Sequence, residues 1–118
     1  MKKDNIILLK TFQFALRIIK LCLFLREKGH YEIAKQIFRS GTSIGANTEE
    51  AVGGQSEKDF QLKLSIAYKE TRESHYWIRL LRDSNIITSK MAESFLKDCE
   101  ENQKILGSII KTLKAKNN

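Results

Sequence analysis

The chain has no proline, two cysteines, two histidines, one tryptophan and six glycines in 118 residues. Each scarcity excludes something. Without proline, no helix is kinked or stopped from within. Breaks must then come from glycine or polar turn residues, and the candidates are Gly29, Gly53-Gly54 and Asp83-Ser84-Asn85. Cys22 and Cys99 are single, widely spaced and flanked by apolar residues, so they read as buried thiols of a reducing cytoplasm and not as a disulfide. Two histidines and two cysteines are also a poor metal inventory. The lone Glu27-x-x-His30 straddles Gly29, whereas a di-iron bundle needs two such motifs and further carboxylates. No strand pattern precedes Gly53-Gly54, so phosphate-loop and dinucleotide logic do not apply. Ser40 and Ser43 have no nearby histidine, and His75, before Tyr76-Trp77, reads as a helix-face residue and not as a general base. We therefore expect no catalytic residues, no metal and no cofactor. Uninterrupted apolar runs are missing too. Lys10, Arg17 and Lys20 break the N-terminal apolar stretch, which argues against a secretory signal or a membrane span.

What remains is helical periodicity over nearly the whole chain. At this length one core is affordable, so residues 1–118 read as a single domain. The pattern predicts an all-α fold, an antiparallel up-down-up-down four-helix bundle with helices over about 5–28, 31–52, 56–83 and 88–113. Residues from Lys111 onward are expected to fray. Ser56 is a candidate N-cap, with Glu57 and Asp59 suiting the positive end of the third helix.

The first helix carries two apolar seams. Leu9, Phe12, Leu16, Ile19 and Leu23 form one, and Ile7, Phe14, Ile18, Leu21 and Leu25 form a second. At about 100° per residue they lie on nearly opposite faces. A surface helix of a monomer buries one stripe, so two stripes predict a homo-oligomer. A charge placed in the second seam, at Phe14 or Leu21, is expected to dissociate that assembly or precipitate the protein.

The segment Arg39-Ser40-Gly41-Thr42-Ser43-Ile44-Gly45-Ala46-Asn47 is small and polar, yet it keeps helical register. Gly41 and Gly45 permit close helix approach. The third helix has a small centre as well, at Ala67, Thr71 and Ser74, so we expect tight packing between the second and third helices. Folding back about Gly53-Gly54 brings Arg39 opposite Glu70 and Glu73, with one or the other as partner in a buried or half-buried ion pair. It also sets Thr42 opposite Ala67, and Asn47 across from Leu62 and Lys63.

The formal net charge is +7, with an isoelectric point near 9.5. A basic surface favours polyanions. Between the seams of the first helix lies a polar wedge containing Lys3, Lys10, Gln13, Arg17 and Lys20. Lys3, Lys10, Arg17 and Lys20 are the candidate contacts to RNA or DNA. The alternative is a protein-interaction module whose lysines only confer solubility.

Three motifs agree in order and spacing. They are Arg39 to Asn47 followed by Glu50-Ala51; Gly54-Gln55-Ser56 followed by Lys58-Asp59-Phe60; and Lys63-Leu64-Ser65-Ile66-Ala67 followed by Lys69-Glu70, Glu73 and Tyr76-Trp77. Together they resemble the bacterial four-helix bundle family, also called the 23S rRNA intervening-sequence protein family. The resemblance is dense over 33–87. It marks Arg39, Ser40, Gly41, Ser43, Ile44, Gly45, Asn47, Phe60, Ala67, Glu70 and Glu73 as motif residues of the core. It implies a cyclic homo-oligomer, a pentamer in known cases, and brings no catalytic residues. Related accessory variability proteins of diversity-generating retroelements bind nucleic acid and a reverse transcriptase, so either type of partner, or another protein, is implied. Thr48 and Ser74 depart modestly from the family pattern at packing positions.

Overall fold

Each break foreseen in the sequence ends a helix by its own local device. The computed structural model describes residues 2–116, with side chains from Asn5 onward. It contains α1 (Lys2–Glu27), α2 (Tyr31–Val52), α3 (Glu57–Asp83) and α4 (Ser89–Lys116). After α1, Gly29 adopts φ 86°, a left-handed conformation that glycine reaches without a Cβ clash. There the Gly29 and His30 amides donate to the carbonyls of Arg26 and Leu25. After α3, Asn85 takes the same region at φ 64°, and the Ile86 amide donates to the Leu81 carbonyl. The Ser56 hydroxyl caps α3 by accepting from the Asp59 amide at 3.1 Å, and Thr88 caps α4 by accepting from the Met91 amide at 3.1 Å. α1 starts earlier than the apolar pattern suggested. α4 runs on to Lys116 where fraying was expected: no breaker stops it, Leu113 still packs against the core, and Lys114 and Lys116 complement its negative end.

The helices form a square bundle 47 Å long. Each packs antiparallel to its sequence neighbours, and α1 and α4 close the square with the slightest contact. The core is built from Ile7, Phe14, Ile18 and Leu25 of α1, Ile37 and Ile44 of α2, Leu64, Ile78 and Leu81 of α3, and Cys99 and Leu106 of α4. The second seam of α1 is therefore the subunit's own core, not an assembly face. Phe14 and Leu21 are 1% and 3% exposed, so charging them unfolds the subunit instead of separating copies. The first seam is the one left outside.

The small residues of α2 also divide differently from expectation. Gly41 and Gly45 face α1, not α3. A Cβ at Gly41 would stand 2.7 Å from Ile18 Cγ1, and one at Gly45 would stand 3.3 Å from the Thr11 carbonyl oxygen. The α3 side of α2 uses Ser40 instead, whose hydroxyl accepts from Ser74 at 2.9 Å inside the core. Thr42 donates to the Phe38 carbonyl and Asn47 to the Ser43 carbonyl, each within α2. Across the α2–α3 turn Lys63 meets Glu50 at 3.6 Å.

The glycine contacts set a measurable expectation. Gly41→Ala must push Ile18 aside and should lower unfolding free energy by about 1–3 kcal/mol in urea denaturation. Gly45→Leu should cost at least as much, because the atom it meets is backbone. Unchanged midpoints for both would mean that α1 and α2 do not approach this closely.

Candidate interaction surfaces

The α1 face opposite the core is apolar along its length. Leu9, Phe12, Leu16, Ile19 and Leu23 are 38–63% exposed, whereas the Ile7, Phe14, Ile18, Leu21 and Leu25 seam is at most 3% exposed. Spacing of three and four residues puts these five on one stripe. Ile6 extends it at one end. Phe38, three residues before Gly41 and so on the α1 side of α2, adds a second exposed ring. Ile6 was not singled out from the sequence. An exposed apolar stripe of this extent marks an interaction surface.

The polar wedge beside that stripe is engaged within the subunit. Lys10 pairs with Glu101 of α4. Arg17 pairs with Asp98, donates to the Ser94 hydroxyl at 2.8 Å and lies 4.1 Å over the Phe95 ring. These two cations clamp α1 to α4 across the slightest helix contact. Within the subunit Lys10 and Arg17 are thus paired cations and not a free basic strip. The signal was present in the sequence: Asp98 and Glu101 lie one turn apart on the antiparallel helix. Lys20 is exposed, with no ion-pair partner among the described residues. The Lys3 side chain lies outside the described residues.

The family-motif residues are structural. The guanidinium of Arg39 reaches both Glu70, at 2.7 Å, and Glu73, and Glu73 also accepts from the Trp77 indole at 3.0 Å. Burial alone would lower the Arg39 pKa, but hydrogen bonds to Glu73 and Glu70 outweigh it and raise the value above the ordinary one. With Arg39 half exposed, this is a surface-edge clamp between α2 and α3. Ser43 and Thr48 return their hydroxyls to the Arg39 and Ile44 carbonyls, keeping small polar groups satisfied inside the helix. Ile44 and Ala67 are fully buried and Phe60 is partly so. His75 lies 2.9 Å from Glu100 on α4.

Both thiols are buried and unpaired. Desolvation pushes Cys22 up to about 11 and Cys99 up to about 12, the latter helped by Glu100 and Asp98. Cys99 donates to the Thr71 carbonyl at 3.1 Å and Cys22 to the Ala34 carbonyl at 3.4 Å. Among the described residues, no three His, Cys, Asp or Glu side chains are grouped to hold a metal ion. Nor is any described helix long and apolar enough to cross a membrane.

This geometry can be set beside known proteins. A family model described as 23S rRNA-intervening sequence protein matches residues 3–108. A crystal structure of a protein of unknown function from the S23 ribosomal protein family of Bacteroides thetaiotaomicron VPI-5482 is similar at 48% identity. That match covers 92% of this chain and 98% of the other, with a TM-score of 0.90. No curated protein matches.

Two outcomes follow from the side-chain environments. Arg17→Ala removes a half-exposed ion pair and a cation–ring contact, and should lower unfolding free energy by about 1 kcal/mol; no loss would show that the α4 clamp is idle. In the folded chain both thiols should resist a thiol reagent at pH 8 and react once the chain is denatured. The folded state holds thiol protons that the unfolded chain releases above about 9. Stability from this source is complete below that pH and falls as pH rises from 9 toward 11–12. Cys22→Ala/Cys99→Ala should flatten that alkaline decline.

Proposed function

The chain belongs to the 23S rRNA-intervening sequence protein family, and on that premise we propose that it is a non-enzymatic homo-oligomeric scaffold, a cytoplasmic pentameric ring whose basic surface contacts RNA or DNA. The observation that carries the assembly is the exposed stripe of Leu9, Phe12, Leu16, Ile19 and Leu23. Fully burying a leucine or phenylalanine is worth about 1.5–3 kcal/mol. These five are about half exposed, so covering them stabilises a subunit by on the order of 5 kcal/mol. A second copy is the simplest cover, because closed symmetry buries the same stripe in every subunit. The pentameric number follows from the family resemblance.

The nucleic-acid part rests on the net charge of +7 and on the family's description, which ties it to intervening sequences of 23S rRNA. Engagement of Lys10 and Arg17 with α4 carboxylates favours a second reading at α1 itself, a protein-interaction face without nucleic acid.

Light scattering tests the assembly. The full chain at micromolar concentration should have the mass of an oligomer. Leu16→Asp and Phe12→Asp should give monomers with unchanged helical circular dichroism, because both side chains lie outside the core. Phe14→Asp should lose helical signal instead. A monomeric parent chain would overturn the scaffold reading.

A further inference from the structure

Part of the charge left over after intramolecular pairing lies along the α3–α4 side of the bundle. From Asn102 to Lys116, α4 contains four lysines and no acidic residue. Across from it, Lys69 of α3 is exposed, and the nearby carboxylates Glu70 and Glu73 are turned to Arg39 of α2. Between these helices runs an open groove of about 410 Å³. Lys69, Lys111 and Lys114 line it together with Ser65, Tyr68, Gly107 and Ile110. All three lysines are exposed, with no ion-pair partner among the described residues. Gly107 keeps the groove open: a Cβ there would already press on the Tyr68 ring, at 3.3 Å from Cε2. Along this side of the bundle Glu57 meets Lys116 at 3.8 Å and Glu100 meets His75 at 2.9 Å.

We infer that the α3–α4 groove is the track for a nucleic-acid backbone, with Lys69, Lys111 and Lys114 contacting phosphates. The inference rests on the nucleic-acid reading above and moves its site from α1 to the far side of the bundle. The groove cations are lysines. A flexible ammonium is a point charge that meets an anionic oxygen without geometric demand, and can follow a phosphate backbone whatever its sequence. Such contacts read no base edges, and the family's tie to 23S rRNA favours a phosphate chain over an acidic protein. The α1 stripe lies on another side, so covering it leaves the groove open, and a ring would repeat the groove in every subunit with a gain in avidity.

The test is a fluorescence-anisotropy titration of the full-length oligomer with a labelled 20-nucleotide single-stranded RNA and the matching DNA, at 50 and 150 mM salt. The parent chain should bind both, more weakly at the higher salt. Lys69→Ala/Lys111→Ala/Lys114→Ala should bind at least tenfold more weakly at 50 mM salt. Its slope of log affinity against log salt should flatten by about two, at about 0.7 per lost single-strand phosphate contact. Lys35→Ala/Lys90→Ala/Lys97→Ala removes the same charge elsewhere and should lose less than threefold. Light scattering and circular dichroism should show both variants assembled and folded as the parent. A parent chain that fails to bind at 50 mM salt overturns the nucleic-acid reading itself, and this site with it. Parent binding that the groove variant retains, or that both variants lose equally, overturns the groove alone. Displacement of the RNA by polyglutamate as readily as by unlabelled RNA would identify an acidic-protein surface and also overturn it.

Discussion

Two absent side chains, at Gly41 and Gly45, set the distance between α1 and α2, and the rest of the bundle follows from that distance. With a Cβ-free strip on α2, Ile18 and Thr11 of α1 lie almost on the α2 backbone. The close approach commits one face of α1 to the core and turns the other outward. It also rotates α2 so that Ser40, not a glycine, meets α3. There the two small hydroxyls of Ser40 and Ser74 bond to each other, and neither is left unsatisfied in an apolar interior.

Ion pairs then work at the edges between helices, never at the centre. Arg39 ties α2 to α3, and Lys10 and Arg17 tie α1 to α4. Each is partly exposed, so each specifies the neighbour more than it stabilises the fold. Their second effect is on the surface field. Pairing takes Lys10, Arg17 and Arg39 out of the free cations, and leaves unpaired lysines of α4 together with Lys69 along one side of the bundle. Net charge alone could not have located that side.

Helix number, order and breaks could be read from the sequence because glycines, caps and 3.6-residue periodicity are local signals. Ser56 and Gly29 act as their residue types dictate, and Arg39 finds both Glu70 and Glu73, because fold-back about one turn fixes an antiparallel register. The sequence could not say which seam of α1 faces inward. Ile7-Phe14-Ile18 and Leu9-Phe12-Leu16 are equally apolar, and the choice depends on where the α2 glycines point. For the same reason the basic wedge of α1 looked free. Whether Lys10 and Arg17 are available depends on α4, some eighty residues away, and periodicity within one helix holds no information about that neighbour.

The square closes unevenly, and this has a consequence for how the chain comes together. Three of its four sides join helices that are consecutive in sequence through short turns, so most native contacts are local and little loop entropy opposes them. The fourth side, α1 against α4, joins opposite ends of the chain. It is the most expensive to close in entropy and is held by the fewest contacts. The α1–α2–α3–α4 hairpins should accumulate before that side shuts, and native-state opening should begin there, with α4 swinging away from α1 while the glycine-tightened α1–α2 pair stays intact.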